Sequence, residues 1–188
     1  MPPSEQLEYQ KNAIRDLIAN TPTDKLDSQS PCNKWTARDV MNHMVGGGMM
    51  FGAALKGEAV EMDLDGPMPD LLGDDAVAAW DNAVKAFSEG VDSPGALERD
   101  VTLPFATVPG AVVLEIAKFD LLVHAWDLAQ ATGQKFDPPA DVVEPAIGAA
   151  QMIIAPEARN GDAFGAEVTP PADATPIQRL AAFTGRTV

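Results

Sequence analysis

Hydrophobic positions recur at helical spacing along most of the chain. In the first segment Leu7, Ile14, Leu17 and Ile18 form one apolar stripe, and Ser4 is the expected N-cap of that helix. The same period recurs further along the sequence. The helices predicted in this way cover residues 4–20, 37–55, 74–89, 110–132 and about 139–155. Helices of this number and length predict a mainly all-α protein built as a helical bundle.

Residues with known roles at helix ends support these bounds. They are Thr36 and Asp39 as a capping-box-like start of the second helix, Gly90 and Gly133 as the stops of the third and fourth, and Thr175 with Gln178 as the cap of a short last helix. Asp39 is therefore interpreted as a helix-start residue rather than as a metal ligand.

Two regions depart from the helical pattern. Residues 97–109 alternate at Val101, Leu103 and Phe105 between prolines, which predicts a short extended or hairpin element. Residues 156–174 are irregular, with a short strand predicted at 164–168. We therefore expect a helical bundle over residues 1–155 and a C-terminal extension over 156–188 that packs on it.

The fourth predicted helix carries the candidate chemistry. It is apolar around most of its circumference, yet Asp120, His124 and Asp127 fall at i, i+4 and i+7 and form one polar stripe. A helix of this composition is usually buried, so the stripe is expected to face the interior. A buried carboxylate and imidazole must be neutralised, hydrogen-bonded to each other, or held by a metal.

The search for a third ligand is short because the chain has only two histidines. The other one, His43, lies on the second predicted helix, followed by Gly46 and Gly47 at i+3 and i+4. These glycines leave room for a ligand or for another helix. On spacing alone, a buried pair of Asp120 and His124 with an unrelated His43 is the favoured alternative to a metal site.

Other polar residues leave alternatives open. Asp127 can orient the His124 imidazole or can cap or pair elsewhere. Arg179 and Arg186 can bind a substrate carboxylate or can form salt bridges. Cys32 is interpreted as an inert loop cysteine, since nothing local in the sequence lowers its pKa.

Composition narrows the function. The net charge of −15 and the pI near 4.3 argue against nucleic acid or an anionic membrane as a partner. No stretch is apolar enough to span a bilayer, and the N-terminus lacks a secretion signal. A single cysteine excludes an internal disulfide framework and a CxxC metal site. A soluble, cytoplasmic protein is expected.

Three stretches carry a family resemblance. They read PCNKWTARDVMNHMVGG, FDLLVHAWDLAQATGQ and PADATPIQRLAAFTGR. In this order they resemble the actinobacterial branch of the DinB-like metal-binding bundles, whose nearest characterised members are the mycothiol-dependent maleylpyruvate isomerases. The resemblance implies a four-helix bundle with a divalent metal, often zinc, held by His43, Asp120 and His124. The remaining coordination positions would be open to water or to a thiol.

The resemblance has two departures. The isomerases carry a glutamate where this chain has Asp120, which is one methylene shorter. They also have an additional C-terminal domain, for which residues 156–188 look too short.

Two classes of function follow from this resemblance. The first is a mycothiol-type, thiol-dependent isomerase or S-transferase, whose partners are a small-molecule thiol and an electrophilic substrate. The second is a non-catalytic metal-binding bundle, in which the ion is structural or sensory. A weaker third option is a metal-free protein that binds an apolar ligand. The sequence leaves the assembly open, with a homodimer as one option.

Overall fold

The computed structural model of the chain describes residues 1–32, 34–60, 68–159 and 164–188. It is mainly helical with one β-hairpin, which confirms the predicted fold class. The helices are α1 (Pro3–Ala19), α2 (Ala37–Lys56), α3 (Ala76–Val91), α4 (Gly110–Thr132), α5 (Ala140–Ile153) and α6 (Pro176–Phe183), and the strands are β1 (Asp100–Leu103) and β2 (Ala106–Pro109). Short 3-10 turns occupy Thr23–Lys25 and Pro156–Ala158. Within the described residues, no helix has both the length and the apolar character needed to cross a bilayer.

The chain forms two compact units. The first contains Met1–Val40 and Lys118–Val188, and the second contains Met41–Ala117. The first unit includes α1, most of α4, α5 and α6, and the second includes most of α2, α3 and the hairpin. The expected boundary between residues 155 and 156 stays a prediction.

Two helix starts are formed by reciprocal side-chain caps, as the sequence predicts. At α2 the Thr36 backbone N–H donates to Asp39 Oδ2 over 2.9 Å, and the Asp39 N–H donates to Thr36 Oγ1 over 3.2 Å. At α6 the Thr175 N–H donates to Gln178 Oε1 over 2.9 Å, and the Gln178 N–H donates back to Thr175 Oγ1. Asp39 thus has the helix-start contacts expected of it.

The N-cap predicted for α1 is wrong. The helix already includes Ser4, and Pro2 occupies the cap position without any side-chain hydrogen bond. Proline at the first helical positions has a suitable φ and no N–H to satisfy, so the helix begins there without a polar cap.

The prediction that Gly90 ends the third helix is also wrong. Gly90 is buried inside α3, which continues to Val91. A Cβ built on Gly90 would lie 2.8 Å from the Cα of Gly52, and a Cβ on Gly52 would overlap the Ala86 carbonyl. Both glycines therefore serve the close approach of α2 and α3 rather than a helix end.

The hairpin confirms the element predicted over residues 97–109. Its antiparallel register pairs Val101 with Val108 and Leu103 with Ala106. Val101 and Leu103 are buried, whereas Phe105 lies exposed in the turn. The backbone N–H of Gly110 donates to the Arg99 carbonyl, so α4 begins directly after the second strand.

The C-terminal part of the chain differs from the prediction at one element. No strand forms over the described residues 164–168. Instead, Gly165 N–H donates to the Thr184 carbonyl and Val168 N–H donates to the Ala182 carbonyl, at the end of α6. A helix end offers only isolated acceptors, so this extended segment has no ladder to join.

Candidate metal and thiol site

The polar stripe on α4 brings its three residues together around one imidazole. His124 Nδ1 lies 3.0 Å from Asp127 Oδ2, and His124 Nε2 lies 3.4 Å from Asp120 Oδ1. Asp127 is fully buried, His124 is nearly so, and the side chain of Asp120 is 24% exposed. The histidine therefore has one carboxylate at each ring nitrogen, and the Nε2 side is nearer to solvent.

Sequence periodicity explains why this helix can hold such a group. Residues 121–129 of α4 are all buried, so the helix has no face in this stretch that is open to solvent. Gly133, with φ of 72°, ends the helix as predicted, and the Gln134 N–H donates to the Ala129 carbonyl.

The two carboxylates control the charge of the imidazole. Burial alone would lower the pKa of His124, but Asp120 and Asp127 together raise it to about 9. Burial likewise would raise the pKa of Asp127, yet its contacts with His124 and Arg186 hold that pKa below its usual range. Without a metal, His124 is thus a cation at neutral pH between two anions.

Arg186 supplies a further contact to this group. Its Nη2 donates to Asp127 Oδ2 over 2.9 Å and its Nε donates to Asp127 Oδ1 over 3.3 Å. Both side chains are buried, at 6% and 0% exposure. Of the two alternatives left open by the sequence, Arg186 forms the salt bridge, and Arg179 likewise pairs with Glu144 on the surface.

Cys32 and Trp35 lie beside the imidazole, in the segment before α2. The ring centroids of Trp35 and His124 are 5.5 Å apart. Burial raises the pKa of the Cys32 thiol to about 12, the nearby Arg186 opposes this, and Asp127 and Asp120 add to it. The thiol is neutral at physiological pH, which agrees with the interpretation of Cys32 as an inert cysteine.

Possible ligand atoms of Cys32, His124 and Asp127 all lie within 4.8 Å of one another. This set is a poor cation site, because both Asp127 oxygens already accept from the positive guanidinium of Arg186. The other side of the imidazole is free of that conflict, and there Asp120 faces His124 Nε2.

The Asp120 and His124 pair fits a divalent metal. Zinc binds nitrogen and oxygen at roughly 2.0–2.1 Å, so two ligand atoms of a tetrahedral site lie about 3.3 Å apart. The observed separation of Nε2 and Oδ1 is 3.4 Å. Because Nδ1 is hydrogen-bonded to Asp127, Nε2 is the ring nitrogen whose lone pair can bind a metal. This is the usual arrangement of a histidine ligand.

His43 lies on α2, in the unit formed by Met41–Ala117. One turn later, a Cβ on Gly46 would come within 3.1 Å of Leu71 Cδ1, whereas among the described residues the atom nearest to a Cβ on Gly47 is Phe51 Cε2, at 4.0 Å. Gly47 therefore leaves space on the His43 side of the helix. The placement of His43 as the third ligand of Asp120 and His124 stays a prediction.

Sequence reasoning missed the link between Arg186 and this group. The two partners of the ion pair, Asp127 and Arg186, are 59 residues apart, and no helical period connects them. The sequence held one indirect signal for a role of Arg186. In the third family-like stretch, a glycine and this arginine follow an amphipathic helix. That pattern marks a helix end, but it does not identify the carboxylate.

Comparison with known proteins adds the family. A sequence model described as the mycothiol maleylpyruvate isomerase N-terminal domain matches residues 7–129. Two uncharacterized proteins, from two strains of Mycobacterium tuberculosis, are each 35% identical over 179 residues, covering 95% of this chain and 94% of theirs. No solved structure matches the chain significantly.

Proposed function

Because the chain belongs to the mycothiol maleylpyruvate isomerase N-terminal domain family, we propose that it binds a divalent metal and uses a mycothiol-type thiol. The reaction is an isomerisation or an S-transfer on an electrophilic small molecule. The reducing cytoplasm is the compartment in which such a thiol is available. The neutral, inert Cys32 is compatible with that compartment.

The proposed ligands are His43, Asp120 and His124, with zinc as the first candidate. The observation that carries this proposal is the placement of His124 between two carboxylates, with Nδ1 on Asp127 and Nε2 facing Asp120. Three nitrogen and oxygen ligands leave a position open, which is typical of catalytic rather than structural zinc.

The residues of the chain have distinct tasks in this proposal. Asp127 accepts a hydrogen bond from the Nδ1–H of His124 and so fixes Nε2 as the ring nitrogen whose lone pair can bind a metal. Asp120 supplies a negative charge at the part of the group nearest to solvent. With only 8% of its side chain exposed, the His124 imidazole is largely shielded from water.

A divalent metal, when bound, lowers the pKa of a coordinated thiol and holds it as the nucleophilic thiolate. In a cis-to-trans isomerisation, the thiol adds across an activated double bond and permits rotation about the resulting single bond. Elimination of the same thiol then restores the double bond in the trans form. The space beside Gly47 on α2 is where we expect the thiol to enter.

Metal analysis tests the proposal first. The protein purified without chelators should contain about one equivalent of metal, and His43→Ala and Asp120→Ala should each lose most of it. Gln130→Ala, at an exposed position of α4, is the matched control and should keep its metal. A wild-type protein without stoichiometric metal, reconstituted or native, would overturn the metal site.

Thiol binding and turnover test the remaining part. The metal-loaded protein is titrated with mycothiol by calorimetry, and maleylpyruvate turnover is followed by absorbance. We expect thiol binding that disappears in His43→Ala. A protein that holds metal, binds no thiol and loses much of its thermal stability on chelation would instead be the non-catalytic metal-binding bundle.

A further inference from the structure

We propose that Arg186 is a positioning residue, which orients the His124 imidazole by fixing the Asp127 carboxylate between them. This inference rests on the proposed function, because the orientation of His124 matters only if His124 binds the metal. Arg186 lies beyond residues 7–129, to which the family match extends. The site would therefore depend on a residue of the C-terminal segment, here meaning residues 164–188.

The contacts around Asp127 form a continuous chain. Its Oδ2 accepts from His124 Nδ1 at 3.0 Å and from Arg186 Nη2 at 2.9 Å, while Oδ1 accepts from Arg186 Nε at 3.3 Å. Two parallel bonds from one planar guanidinium set the plane of the carboxylate. A carboxylate that cannot rotate gives the imidazole a single favourable orientation, which in turn fixes the direction of Nε2.

Each of the three guanidinium nitrogens already donates to a partner within the protein. Nη1 donates to the Thr184 carbonyl over 3.2 Å, and the other two nitrogens donate to Asp127. With 6% of the side chain exposed, Arg186 cannot also bind a substrate carboxylate in this arrangement. Its contribution to the site therefore passes through Asp127.

The backbone that carries Arg186 is itself held at a defined helix end. Gly185 has φ of 97° and its N–H donates to the Ala182 carbonyl, while the Arg186 N–H donates to the Ala181 carbonyl. This pair of bonds is the Schellman motif, which directs the chain away from the helix at a fixed angle. Arg159 strengthens the same end by donating to the Phe183 carbonyl over 2.8 Å.

Metal affinity measured against a chromogenic chelator tests the proposal. Arg186→Gln should weaken zinc binding about 10- to 100-fold, the range found when partners of metal-ligating histidines are removed. Arg186→Lys keeps the charge but not the fork, so a partial loss is expected. Arg179→Gln is the matched control, since it breaks the ion pair with Glu144 on the surface and should leave affinity unchanged.

A double-mutant cycle separates positioning from general structural support. If Arg186 acts through Asp127, the variant carrying both Asp127→Asn and Arg186→Gln should bind zinc no more weakly than Asp127→Asn alone. The ligand-field spectrum of bound cobalt should change in Arg186→Gln and remain unchanged in Arg179→Gln. Unaltered affinity in Arg186→Gln, or losses that simply add in the double variant, would overturn the proposal.

A readout on the metal-free protein keeps this test separate from the proposed function. In nitrogen-15 spectra, the wild type and Arg179→Gln should show a hydrogen-bonded His124 Nδ1–H that exchanges slowly with water. In Arg186→Gln that resonance should broaden or vanish. If the wild type binds no metal, the proposed function fails while this comparison still decides the role of Arg186. If Arg186→Gln does not fold, Arg186→Lys gives the same comparison, because it keeps the charge but not the two parallel hydrogen bonds to Asp127.

Discussion

Arg186 donates to Asp127 over 2.9 Å although 59 residues separate the two along the chain. Asp127 has no exposed surface, so its charge is balanced only by neighbours within the protein. It accepts from His124 on one side and from Arg186 on the other. A buried carboxylate with two cationic partners is held in one position, and it therefore orients the imidazole that it contacts.

The end of α6 gives a first prediction. Gly185→Ala should destabilise the protein by more than Gly133→Ala, and the two are compared by urea unfolding. Both glycines have positive φ, at 97° and 72°, which costs an alanine about 1–2 kcal/mol. Only at Gly185 would the new Cβ also lie 2.6 Å from the Cα of Gly165, which adds roughly 1–3 kcal/mol of overpacking. Equal losses at the two positions would contradict this account.

The glycines of α2 give a second prediction, with opposite signs in one helix. Gly52→Ala should lower the free energy of unfolding by roughly 1–3 kcal/mol, because its Cβ would overlap the Ala86 carbonyl of α3. Gly47→Ala should raise it by about 0.5–1 kcal/mol, since within the described part of the chain the new methyl group comes no closer to another residue than 4.0 Å, at the Phe51 ring. Thermal unfolding of the two metal-free variants checks both signs. If Gly47→Ala also loses thiol binding, its space serves the ligand.

The reactivity of Cys32 gives a third prediction, which depends on pH. Burial leads the effects that raise its pKa from 9.0 to about 12, so at pH 8 its thiolate fraction is on the order of 10³ lower than for an ordinary thiol. The native protein should therefore react slowly with a disulfide reagent, and the rate should keep rising with pH above 9. The urea-unfolded protein is the control and should react at the rate of a free thiol. Fast native labelling at pH 8 would show a different environment for Cys32.

The start of α2 gives a fourth prediction. Asp39→Ala should cost about 1 kcal/mol of stability, because it removes the acceptor of the Thr36 N–H in the capping box. Thr36→Ala removes the other side chain of the same capping box, so its loss of stability is the comparison for that of Asp39→Ala. Both should retain the metal content of the wild type by elemental analysis. Loss of metal in Asp39→Ala alone would make Asp39 a ligand instead of a cap.

Local sequence signals predicted much of the fold. The capping boxes at Thr36 and Thr175 and the stop at Gly133 depend on contacts within a few residues, and these predictions are confirmed. Gly90 looked like another stop, but it packs against Gly52 of α2, a contact that sequence spacing does not reveal. A glycine that ends a helix and one that admits a neighbouring helix have the same local pattern.

In the candidate site, the sequence predicted the residues that lie on one helix, but it did not predict the contact that comes from a distant segment. Asp120, His124 and Asp127 lie within two turns of α4, so helical geometry alone places them on one stripe. The contact of Arg186 with Asp127 depends on how the end of α6 packs, and it carries no periodic signal. His43 was a candidate because it is the only other histidine of the sequence, the family resemblance favoured it as a ligand, and that role stays a prediction.

The order in which a ribosome makes the chain gives the ion pair a consequence for biogenesis. Asp127 is synthesised 59 residues before Arg186, which at roughly 5–20 residues per second is an interval of about 3–12 s. During that interval, the Asp127 carboxylate lacks the positive charge of Arg186, which makes its burial less favourable. We therefore expect this carboxylate to stay hydrated in the nascent chain until the later segment is made, so that the surroundings of His124 are completed late in synthesis.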